Sequence, residues 1–161
     1  MDEIKSRKWR LEQLLEKQKK KEVVGFGGLF VECIEALGAE TAILSKDKSI
    51  EIFQNLQKSY PFNSWSRIDW EQIRAKIKIV NTLEVVPQIK QLLGDVDEVF
   101  ILWSTGSQLV LKSQLCKVLS AIDDVLAIGA DTFIYSPSRF VIEFHHEGEI
   151  IIGFDNDSVL S

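Results

Sequence analysis

Histidine, cysteine, methionine and proline are scarce in this chain of 161 residues, which holds two, two, one and three of them. Each scarcity excludes something. The cysteines, Cys33 and Cys116, lie far apart in apolar helical patterns, FVECIEAL and SQLCKVLSAI, without CxxC spacing. Buried free thiols are expected rather than a disulfide framework or a thiolate metal site. The two histidines, His145 and His146, are adjacent. Neighbours on a strand face opposite ways, whereas a zinc site takes about three or four convergent ligands, so no metal and no cofactor is expected. No serine stands in a GxSxG turn, and Ser104, at the end of a strand-like run, lacks a histidine and aspartate in matching order. No catalytic residue is assigned. The VVGFGG stretch at residues 23–28 has neither the lysine of a GxxxxGK[ST] loop nor full GxGxxG spacing, and reads as a hinge between two helices.

Long hydrophobic runs are also missing. None approaches the roughly 18 residues of a membrane span, and the first residues, MDEIKSRKWR, are charged at once, without a signal-peptide core. The expectation is a cytoplasmic protein with no membrane partner.

What is present suits a globular fold: 45% hydrophobic and 27% charged residues, enough apolar surface for a real core. With no repeat and no low-complexity linker, residues 1–161 are expected to form a single domain, in which a helix over 2–22 is peripheral. The net charge of −5 conceals a gradient. Residues 1–22 carry eight Lys/Arg against five Asp/Glu, and residues 95–161 carry three against eleven, a net of −8. Such a run is either a solvated face or a surface that attracts a basic partner and repels nucleic acid. The basic first helix is too weakly charged beside this to suggest nucleic-acid binding.

Hydrophobic spacing predicts helices over 29–37, 49–58, 82–93 and 113–128, the second stopped by Tyr60-Pro61 and the third by Gly94. The run EQIRAKIKIV fits helix or strand. EVFILWS, DTFIYS, RFVIEFHH and EIIIGF read as strands, the last two joined by a tight turn at Glu147-Gly148. Helices first and strands later imply an α+β fold, with N-terminal helices packed on one face of a largely antiparallel sheet built from the C-terminal half. Phe100, Leu102, Phe133, Ile142, Phe144 and Ile151 are its expected core.

The chemistry-bearing residues cluster near the last hairpin: Glu143, His145, His146, Glu147 and Glu149. On a strand Glu143 and His145 share a face and His146 takes the other. The first reading is a polar tip at a sheet edge. Partner contact and metal-dependent hydrolysis through His145 and Glu143 are the alternatives. Trp65 and Trp70 flank Arg67 and Asp69 in SWSRIDW, a composition found at interface hot spots, though a hydrophobic flap over the sheet is the preferred reading because large aromatics usually find burial. Trp103 belongs to the core.

Three segments, VFILWS from Val99, DTFIY from Asp131 and VIEFHHEGEIIIG from Val141, together with the Trp65/Asp69-Trp70 element, resemble small cytoplasmic immunity proteins of bacterial polymorphic-toxin and contact-dependent inhibition systems. The similarity covers roughly the last hundred residues. It implies a non-catalytic inhibitor that binds a cognate toxin domain, often a nuclease, and blocks it. An acidic surface suits the basic cleft of a nuclease. Trp65, Trp70, Asp123, Asp124, Glu143, Glu147 and Glu149 are the candidate contacts. A regulatory or scaffold module is the alternative.

Overall fold

Phe30, Cys33, Ile34 and Leu37 recur at helical spacing and are all buried along one side of the first described helix, α1 (Gly28–Leu37). The computed structural model describes residues 28–63, 67–94, 98–104 and 109–155; the expected helix at 2–22, most of the hinge, and Trp65 lie outside them. After a two-residue strand, β1 (Ala42–Ile43), comes α2 (Lys46–Ser59). The Ser45 side chain caps it by accepting from the Lys48 amide, and the helix ends at Tyr60, whose extended backbone is the one a following proline imposes. Its buried and half-buried positions, Ser49, Ile52, Phe53 and Leu56, form a single stripe.

The ambiguous KIKIV run resolves as strand β2 (Lys76–Ile79). Its lysines face out while Ile77 and Ile79 face in, the alternation of a half-buried strand. A 3₁₀ turn, Thr82–Glu84, carries a capping box between Asn81 and Glu84 and runs into α3 (Val85–Leu93), which Gly94 ends at φ 80°. The strands β3 (Glu98–Trp103), β5 (Thr132–Ser136), β6 (Phe140–Phe144) and β7 (Ile150–Phe154) fall where the apolar runs place them.

The predicted helix 113–128 is divided. Residues 111–114 pair with β3 and β1 as a strand, β4 (Leu111–Gln114), and the helix that follows breaks at Ala121 into α4 (Leu115–Ser120) and α5 (Ile122–Leu126). Ser113 takes an inner position of the sheet because its hydroxyl meets that of Thr41 at 2.8 Å. The cysteines are both free, but only Cys33 is buried. Cys116 faces outward because its neighbours Leu115 and Val118 take the inner positions of α4.

All seven strands join one sheet in the order β1-β4-β3-β5-β6-β7-β2, and every pairing is antiparallel. The architecture is α+β. Contrary to the expectation of a sheet covered on one side, both faces are buried. One carries Ile101, Ile134, Ile142 and Ile152 against α1, α3, α4 and α5. The other carries Leu102, Phe133, Tyr135, Val141 and Ile151 against Leu56 and Tyr60 of the α2 region and against Ile68, Trp70 and Ile73. Strands that read as continuous apolar runs need cover on both sides, and the irregular 60–73 segment supplies half of it. Leu102, Phe133, Ile142, Phe144 and Ile151 are buried as expected, and Phe100 is partly buried.

At one point the flap leaves no room at all. A Cβ on Gly153 would lie 2.6 Å from Cζ3 of Trp70. Gly153→Ala is expected to lower stability by about 1–3 kcal/mol through overpacking, and Phe144→Ala by about 3–5 kcal/mol through loss of a buried ring. Urea melts check both, and a change near zero in either would contradict the packing described.

Candidate functional site

β6 ends at Phe144, so strand alternation governs Glu143 but not the two histidines after it. Glu143 points to the face covered by the 60–73 segment, where its side chain is 0% exposed. Arg67 Nε donates to Oε1 at 2.6 Å and Trp70 Nε1 donates to the same oxygen at 3.0 Å. The Ile68 amide donates to Oε2 at 3.1 Å. Arg67 also donates from Nη2 to Glu149 Oε2 at 2.8 Å, across the mouth of the hairpin. One guanidinium thus joins two carboxylates, from β6 and from the residue before β7. Burial works against its charge, but the hydrogen bonds to Glu143 and Glu149 outweigh it and raise its pKa. The same hydrogen bond and the charge of Arg67 hold Glu149 below the usual glutamate range.

This arrangement corrects two of the sequence expectations. Glu143 and Trp70 are turned inward onto each other, so in this fold neither offers a surface to a partner. The proposed hydrolytic pair is not formed either, because Glu143 engages Arg67, Ile68 and Trp70 while His145 faces Asp131. Arg67 was legible only as the polar residue between two tryptophans; its inward direction required the distant Glu143.

The histidines meet rather than diverge. His145 N–H donates to Glu149 O and Gly148 N–H to His145 O, closing a turn in which Gly148 adopts φ 101°. The two rings then lie against each other, tilted by 39° with centroids 4.1 Å apart. Asp131, just before β5, receives both the backbone N–H of His146 at 2.9 Å and its ring Nδ1 at 3.0 Å on Oδ1, with His145 Nε2 3.9 Å away. Asp131 was not singled out by sequence, although it directly precedes a strand-like run beside two histidines that needed a partner.

The remaining candidates lie nearer solvent. Asp123 and Glu147 are exposed, Asp124 and Glu149 partly so, and Trp65 lies outside the described residues. The acidic balance of residues 95–161 is therefore less of a surface property than it looks. Glu143 is internal, Glu149 is held by Arg67, Glu98 pairs with Lys112 at 2.8 Å and Asp131 is buried. A groove of about 430 Å³ lies between the end of α1 and α4, lined in part by Leu37, Glu40, Cys116 and Lys117, with Lys117 bonded to Glu40 at 3.1 Å. Cys33 is no nucleophile: burial first, then the charge of Asp124, pushes its thiol up to about 12.

Removing the anchor leaves several buried donors without an acceptor. Glu143→Ala is expected to destabilise the fold by about 3–5 kcal/mol, read from denaturant melts. The Arg67–Glu149 bond should act differently with pH. A depressed carboxyl contributes stability above its unfolded value and loses it as pH falls through the folded one. The advantage of the wild type over Glu149→Gln should therefore shrink below pH 4.5, the ordinary glutamate value. A pH-independent difference between the two would contradict the bond.

No curated protein matches the chain. A family model does, described as CdiI immunity protein, EcoliA0-like, and it covers residues 27–153. That span takes in all the described secondary structure but its last residue, from α1 through β7, and extends well upstream of the segments that suggested an immunity protein. The chain belongs to the CdiI immunity protein family of contact-dependent inhibition systems.

Proposed function

We propose that this protein neutralises a cognate bacterial toxin domain by binding it, without catalysis, in the cytoplasm of the cell that makes both. The observation that carries the proposal is the family match across residues 27–153. Among the described residues no helix is long and apolar enough to cross a membrane.

The fold supports a narrower contact set than composition suggested. Asp123 and Glu147 are exposed and Asp124 is half-buried, with Glu149 engaged by Arg67 and Trp65 as the aromatic member. A nuclease domain is the class of toxin these acids fit, since its cleft must be basic to hold phosphates. Nucleic acid itself and membranes are not partners in this reading.

The test uses candidate toxin domains taken from the genes that neighbour the one for this chain. Association should slow by at least about tenfold between low and physiological salt, where screening shortens the field to about 8 Å. Asp123→Lys with Glu147→Lys should weaken binding and neutralisation while moving stability by less than about 0.5 kcal/mol, because both residues are exposed. Glu149 is left out of that variant, since a lysine there would oppose Arg67 directly. Unchanged neutralisation and salt dependence in the double variant would assign the contact to another face. Failure to bind any toxin domain would favour a regulatory or scaffold role.

A further inference from the structure

The turn between β6 and β7 brings three possible ligands to one point: Asp131 Oδ1, His145 Nε2 and His146 Nδ1 all lie within 4.8 Å of one another. Imidazole N–H groups can satisfy the Asp131 carboxylate, and so can a single cation shared by all three residues. A proton on His146 Nδ1 accounts for its 3.0 Å contact with Asp131, but it does not reach His145 Nε2, which stands 3.9 Å from the same oxygen. A zinc-class ion with bonds of about 2.0–2.1 Å to each of three ligands sets them roughly 3.3 Å apart at tetrahedral angles. The two separations from Asp131 Oδ1, 3.0 Å to His146 Nδ1 and 3.9 Å to His145 Nε2, bracket that value.

We propose that Asp131, His145 and His146 bind one divalent transition-metal ion of the zinc class, with water in the remaining position. This goes beyond toxin binding and reverses the expectation of no metal, whose premise was that the histidines sit on opposite faces of a strand.

The surroundings fit a built site. Asp131 is held at its backbone, where its carbonyl accepts from the Ser104 amide at 3.1 Å, and at its carboxylate, where the His146 amide donates. Such outer contacts fix the direction of a metal-bound carboxylate. The side chains of His145 and Asp131 are 10% and 11% exposed, and that of His146 is 54% exposed, so the cluster is shielded on one side and open to solvent on the other. That is the form of a three-ligand site with one free position. Loading requires His145 to carry its proton on Nδ1. The contact from the Glu147 amide to that atom must then open, and at 3.3 Å on an exposed turn it is a weak one. An ion held there ties the hairpin turn to the start of β5.

The experiment uses the full chain without an affinity tag, in a Cys116→Ser background because Cys116 is an exposed thiol able to hold zinc itself. After chelator dialysis the protein is titrated with Co²⁺, followed by its visible d–d absorption, and then with Zn²⁺ in competition. One ion per chain with a four-coordinate Co²⁺ spectrum is expected. At a free Zn²⁺ concentration about 100-fold above Kd the melting temperature should rise by about 5 °C. His146→Gln, on the exposed turn, should weaken binding by at least about tenfold, as should Asp131→Asn.

Because the chain has two histidines in all, nitrogen-detected NMR of the imidazoles gives a second readout that needs no variant. Both rings should move in proportion to added Zn²⁺ and stop at one equivalent. Absence of saturable binding, imidazole signals that stay in place, or undiminished affinity in folded His146→Gln would each overturn the assignment.

Discussion

A carboxylate on an interior strand, sealed from water on the inner side of a flap, is tolerable only if its oxygens are filled with donors. Glu143 meets that condition, and all its donors come from Arg67, Ile68 and Trp70, within four consecutive residues. Among the described residues, the segment that follows α2 has no ladder of its own beyond a bridge between Phe62 and Ile68. Glu143 gives it a fixed address on the sheet. Once Arg67 and the Trp70 indole are docked, Ile68, Trp70 and Ile73 are aligned to cover Leu102, Phe133, Val141 and Ile151. The apolar cover and the polar anchor are therefore not separable contributions. The fit is tight enough that the strand position beneath the Trp70 ring accepts only glycine, at Gly153.

How far the sequence could be read depended on whether an element's reason for existing was local. β3, β5, β6 and β7 declare themselves through largely apolar runs, and α1 through its i, i+3, i+4, i+7 stripe. β4 does not, because LKSQ is polar at three of four positions and becomes a strand by pairing on both sides, with Ser113 satisfied by Thr41 at a separation of 72 residues. The burial of Glu143 was illegible for the same reason: Arg67 lies 76 residues away. The convergence of His145 and His146 was hidden by one residue, since extending the strand past Phe144 sends the rings apart and ending it there brings them together.

Charge shows the same limit. Counting acids over a stretch of sequence treats each as a surface group, yet Glu143 and Asp131 are buried and Glu98 and Glu149 are paired. Of the candidate contacts, those on α5 and at the hairpin tip keep their charge in solvent. A family whose task is recognition can still draw on them, but the field they project is smaller than the composition implies.

The order of strands in the sheet has a further consequence, during synthesis. The interior of the described sheet, β3 to β7, is made last, while α1, α2 and the edge strands β1 and β2 are made first. Lys76 to Ile79 have no partner strand until Ile150 to Gly153 have left the ribosome, and the donors for Glu143 precede their acceptor by more than seventy residues. The nascent chain therefore carries apolar stripes and an unpaired strand with nowhere to dock until β7 has emerged. Such high contact order slows folding and leaves early segments open to association. Association during synthesis is then the hazard that this strand order creates, one that the finished sheet no longer carries.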